Sequence, residues 1–86
     1  MENKRISVIS IIVEDKSATH RINEILHQFS EHIIGRMGIP YKERGVSVIC
    51  IVIDAPMGIT SALSGKLGQI SGVLAKTVTS RLSAEE

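Results

Sequence analysis

Two β-branched runs in this chain are apolar on both of their alternating faces. Ile6-Ser7-Val8-Ile9-Ser10-Ile11-Ile12-Val13, opened by Arg5, and Val46-Ser47-Val48-Ile49-Cys50-Ile51-Val52-Ile53 are short and read as central strands. Between them the period changes. Ile22, Ile25, Leu26 and Phe29 recur at steps of three and four, which predicts an amphipathic helix from about Ser17 to Ser30, with Asp15 or Ser17 as its N-cap. Ile33-Ile34-Gly35-Arg36-Met37-Gly38-Ile39-Pro40 carries two glycines and a proline, which an edge strand tolerates and a central strand does not. The polar Lys42-Glu43-Arg44-Gly45 then turns the chain into the second apolar run, making these two a hairpin.

Asp54 and Pro56 announce a second helix, from about Met57 to Leu67, with Ile59, Ala62, Leu63 and Leu67 on one face and Gly65 and Gly68 thinning its end. The glycine-bounded turn from Gly68 to Gly72 leads into Val73-Leu74-Ala75-Lys76-Thr77-Val78, whose Lys and Thr suit a second edge. The order strand, helix, strand, strand, helix, strand predicts an α+β, ferredoxin-like βαββαβ sandwich, with an antiparallel four-stranded sheet of order 4-1-3-2 and two helices on one face. Residues 1–86 then form one domain, frayed at 1–4 and 80–86. Two helices cover only one face of such a sheet. The central runs are apolar on the other face too, so a homo-oligomer, a dimer or higher, is expected to cover it.

Composition narrows the picture further. A domain of 86 residues hides only about 60 to 65% of its unfolded surface, so it gains from a partner, a metal or disulfides. The single Cys50 forms no internal bridge and, lying among Ile49, Ile51 and Val52, reads as a buried structural thiol. With no signal peptide at Met1-Glu2-Asn3-Lys4-Arg5 and no membrane segment, the expected location is cytoplasmic. Net charge is +1 with both signs scattered, and the aromatic residues are Phe29 and Tyr41, so no direct nucleic-acid binding is expected.

Candidate chemistry is sparse. His20, Glu24, His27 and Glu31 would align along a helix as a stripe able to hold a metal, but that stripe lies opposite Ile22, Ile25, Leu26 and Phe29 and reads better as a solvated face; His32 does not change this. Neither metal nor cofactor is expected. Glu14, Asp15 and Asp54 lie at strand ends, where acid and base groups often act, yet Asp15 and Asp54 are accounted for as helix caps. No catalytic residue is assigned and no enzyme activity is expected. The glycines from Gly65 to Gly72 match a phosphate cradle weakly, because they occupy a helix end, where glycine supplies left-handed backbone and close packing.

The segment Ser61-Ala62-Leu63-Ser64-Gly65-Lys66-Leu67-Gly68-Gln69-Ile70-Ser71-Gly72-Val73, together with Arg36-Met37-Gly38-Ile39-Pro40, resembles the iron-only hydrogenase system regulators over nearly the whole chain. That family is similar in turn to ACT domains and to the carboxyl-terminal domain of the nickel-responsive repressor, oligomeric ligand-binding modules of this topology. The resemblance implies an ACT-like, transcription-associated sensing module of an iron-only hydrogenase system, acting through self-assembly and an effector or partner protein. The chain has no glycine in Glu14-Asp15-Lys16-Ser17, where ACT effector loops commonly carry one, and its histidines are not on strands as the repressor's metal ligands are. A small anionic effector would enter where Asp15, Lys16 and Ser17 approach Gly65 and Gly68 near a subunit boundary, using N–H groups at a helix start and the Lys16 ammonium. The alternative is a structural assembly adaptor without a small-molecule ligand.

Overall fold

The computed structural model describes residues 3–82. β1 (Lys4–Val13) pairs antiparallel with both β3 (Val46–Pro56) and β4 (Val73–Thr79), and β2 (Ile33–Tyr41) pairs with β3. The sheet order is therefore β2-β3-β1-β4, the expected 4-1-3-2 read from the other edge. The two β-branched runs are central, and the Gly/Pro-bearing and Lys/Thr-bearing strands are the edges. Two helices, α1 (Thr19–Gln28) and α2 (Met57–Gly68), provide the two crossovers.

Alternation along the central strands divides the sheet into two faces. Ile9, Ile11 and Val13 of β1 and Ile49, Ile51, Ile53 and Ala55 of β3 point toward the helices, where Ile22, Ile25 and Leu26 of α1 and Leu63 and Leu67 of α2 bury them. Each such aliphatic side chain contributes roughly 1.5–3 kcal/mol by leaving water. Phe29, Ile33, Ile59, Ile70 and Ala75 close the margins of this core. The Lys66 ammonium lies 5.7 Å above the Phe29 ring and 3.4 Å from Gln28 Oε1, tying the end of α2 to the end of α1.

Several local expectations are corrected. β3 continues through Asp54, Ala55 and Pro56, so Asp54 is a strand residue opposite Ile6 and does not cap α2. The cap is Pro56, which has extended backbone and makes no side-chain bond to the helix. Lys4, expected to fray, pairs with Pro56, and the Ser80 amide donates to the Ile6 carbonyl at 2.9 Å. The fraying expected at 1–2 and 83–86 concerns residues outside the described ones. The helix expected from Ser17 to Ser30 is a 3-10 turn (Lys16–Ala18), then α1, then a second 3-10 turn (Ser30–His32).

Within the Gly65 to Gly72 segment, the left-handed backbone and close packing expected of glycine fall to Gly72 alone. Gly65 and Gly68 lie inside α2 and supply no left-handed backbone. Positive φ occurs at Gly45 (68°), which ends the β2–β3 turn, and at Gly72 (80°), which precedes β4. β2 also carries a bulge: Ile33 pairs with Ile53 and Gly35 with Val52, leaving Ile34 as an inserted residue.

Candidate functional site

The loop nominated by the sequence lies between β1 and α1. The Asp15 carboxylate accepts from Ser17 N–H at 3.0 Å and from the Ser17 hydroxyl at 2.8 Å, and the Asp15 carbonyl accepts from Ala18 N–H at 3.0 Å. The two Ser17 bonds, the side-chain one foremost, hold the Asp15 carboxyl below its ordinary value of 3.8. Asp15 thus occupies the place at the helix start that an incoming anion would take, and Lys16 is what the loop has left to offer. A Cβ built on Gly65 or Gly68 would meet nothing within 4 Å, so neither position requires glycine for a close approach. The glycine that meets the loop is Gly72, whose carbonyl accepts from Glu14 N–H at 2.7 Å and whose added Cβ would stand 2.5 Å from Asp15 Cβ. Only glycine fits that approach.

Gly65 instead lines a groove between α2 and β4, with Met57, Thr60, Ser61, Ser64, Thr77 and Thr79. Its hydroxyls are partly paired: Thr77 donates to Ser64 Oγ at 3.1 Å, and Ser7 and Thr79 share a bond of 2.9 Å. Thr60 Oγ1 is buried without a partner. The groove lacks a charged side chain, and its small residues let it stay open.

The largest feature is the sheet face away from the helices. Eight large apolar side chains are exposed on it: Ile6 and Ile12 of β1, Met37, Ile39 and Tyr41 of β2, Val48 of β3, and Leu74 and Val78 of β4. Val8, Val46 and Val52 lie half-buried among them. Among the described residues, charge on this face is confined to Lys4, Asp54 and Lys76. Cys50 is here as well. It is free and half-exposed, opposite Met37 and Ser10, rather than buried as expected, because its neighbours Ile49 and Ile51 take the two core-facing positions around it. The contribution of β2 was missed from sequence, where its glycines and proline drew attention away from the alternation Met37, Ile39, Tyr41.

The histidine stripe is a surface feature. His20 Nε2 stands 3.5 Å from Glu24 Oε2, and Arg21 reaches the same carboxylate at 3.5 Å, with all three exposed. Glu31 has left the helix for the following turn, where it lies 3.8 Å from His32. Among the described residues no three His, Cys, Asp or Glu side chains converge as metal ligands, and no helix is long and apolar enough to cross a membrane.

Residues 5–77 match the TM1266-like family, described as "Iron-only hydrogenase system regulator, putative". No curated protein matches the chain. Among solved structures, the uncharacterized protein TM1266 from Thermotoga maritima shares 44% identity, with a TM-score of 0.85 over 88% of this chain and 96% of that one. At lower identity, the likeness is one of fold alone. A formyltetrahydrofolate deformylase from Pseudomonas putida (10% identity, TM-score 0.62) aligns over 85% of this chain and 28% of its own. CPII, a nitrogen regulatory PII-like protein from Thiomonas intermedia bound to ADP, AMP and bicarbonate (13%, TM-score 0.51), aligns over 93% and 99%.

Proposed function

Because the chain belongs to the TM1266-like family of iron-only hydrogenase system regulators, we propose that it is a cytoplasmic regulatory module that works as a homo-oligomer, a second copy covering the open sheet face. Regulation, not catalysis, is the role described for the family. The observation that carries the reading is the set of eight exposed apolar side chains on one face, against three charged residues there among the described ones. At a strand spacing of ~4.8 Å and a rise of ~3.3 Å per residue, four strands offer a footprint of roughly 20 by 30 Å, or ~600 Å² per copy. Two copies would bury roughly 1,200 Å², above the ~1,000 Å² expected of a specific interface. A face of this kind suits a two-fold contact, in which the same patch serves both partners.

Sedimentation at micromolar concentration tests it, with Val48→Glu and Ile49→Glu as paired variants. Val48 is on the open face and Ile49 is in the core, so the first should yield a folded monomer and the second an unfolded chain. A monomeric wild-type protein would overturn the reading. The self-satisfied Asp15 loop favours a second reading, an assembly adaptor that takes no small molecule. A screen for ligand-induced stabilisation separates the two.

A further inference from the structure

At the end of α1, the helix, the turn after it and the edge strand β2 enclose an open pocket of about 310 Å³, lined by Asn23, Leu26, His27, Ser30, Ile33 and Arg36. Its floor is apolar, since Leu26 is buried and Ile33 packs against the core. Its rim is polar and carries no carboxylate. Arg36 Nη2 donates to Asn23 Oδ1 at 2.7 Å, which orients the guanidinium and uses one of its five N–H donors. The nearby acids are engaged elsewhere: Glu24 with His20 and Arg21, Glu31 with His32. Among the described residues no carboxylate forms an ion pair with Arg36.

The bulge explains why Arg36 is there. With Ile34 inserted, Arg36 pairs with Ile51 and lies on the helix side, while Met37 pairs with Cys50 on the open face. An unbulged strand continuing from the Ile33–Ile53 pair would set Arg36 opposite Cys50, on the open face, and Met37 opposite Ile49, under the helices. Bulges commonly re-aim a side chain in this way. One inserted residue therefore delivers the cation to the pocket and the apolar side chains to the open face.

We infer that this pocket binds a small organic carboxylate with a short aliphatic body, the carboxylate on the Arg36 guanidinium and the body on Leu26 and Ile33. The guanidinium fork can pair bidentately with a carboxylate, and the apolar floor suits an aliphatic stem. Asn23 positions the guanidinium, and His27 and Ser30 supply further hydrogen-bonding groups at the rim. The inference gives the regulatory reading an effector class and rests on that reading for its biological role, whereas binding is measured directly.

The test is an amide NMR titration of the full chain with isovalerate, with isovaleramide, acetate and inorganic phosphate as comparison probes. Isovalerate should shift the Asn23, His27, Ser30 and Arg36 amides saturably. Acetate and phosphate should bind several-fold more weakly, and isovaleramide should leave these amides unmoved. Arg36→Gln, at an exposed position, should fold normally and lose about tenfold or more in affinity, and Asn23→Ala should lose several-fold and serves if the first variant does not fold. An equal response to isovaleramide, undiminished affinity in these variants, or no saturable shift at millimolar isovalerate overturns the inference. Repeating the titration on Val48→Glu keeps the two readings apart: the pocket shifts persist in a monomer if the pocket is right, and the wild-type sedimentation profile stands if it is wrong.

Discussion

The two faces of the central strands are made of nearly the same residues and meet opposite fates. Ile9, Ile11, Ile49, Ile51 and Ile53 are buried on one side, whereas Ile6, Ile12 and Val48 stay at least 39% exposed on the other. Hydrophobicity therefore does not distinguish core from surface here; helix coverage does. The helix-side residues build the core and the open-side residues stay exposed, so one strand supplies both through its two-residue period.

The sharpest way to break that comparison is to truncate an isoleucine on each face in the Val48→Glu background. Ile51→Ala leaves a cavity in a packed core and should cost about 3–4 kcal/mol in urea unfolding. Ile12→Ala removes a side chain already 41% exposed and should cost about 1 kcal/mol or less. Equal losses would mean that the open face is covered even within one copy.

The core face is closed at its end by the Gly72–Asp15 approach, which gives the next test. Gly72→Ala combines positive φ with a clash against Asp15 and should destabilise by about 3 kcal/mol. Gly45→Ala meets positive φ alone, with nothing within 4 Å of the added carbon, and should cost about 1 kcal/mol by the same measurement.

A smaller effect of opposite sign is expected at Thr60, where the helix side buries a hydroxyl with no partner. Thr60→Val keeps the shape, removes the unpaired group and should raise stability by about 1 kcal/mol, read as a higher urea midpoint at unchanged slope. A loss there would mean that the hydroxyl is satisfied in solution.

The smallest effect is electrostatic. Asp15 has a folded-state pKa below 3.8, so its contribution is present above that value and fades as pH falls through the lower folded pKa. Asp15→Asn should therefore flatten the acid limb of the stability profile slightly and leave it unchanged in shape near neutrality. Carbon-detected titration of the Asp15 carboxyl checks the direction; a midpoint at or above 3.8 contradicts the two Ser17 bonds.

What the linear chain determined by itself was its elements and their order. Period and residue type are local properties, so the apolar runs from Ile6 and Val46, the three- and four-step spacing from Ile22 to Phe29, and the Gly/Pro and Lys/Thr edges together carried the topology. Side-chain direction over more than a few residues is different, because a single inserted residue reverses it. Only the tertiary structure could reveal the bulge at Ile34, and with it the placement of Arg36 beside Asn23 and of Met37, Ile39 and Tyr41 on the open face. Contacts between distant segments were equally out of reach. Gly65 and Gly72 look alike in sequence, yet one lines a groove against β4 and the other presses on Asp15, because a glycine's role depends on which backbone comes close to it, and folding alone decides that.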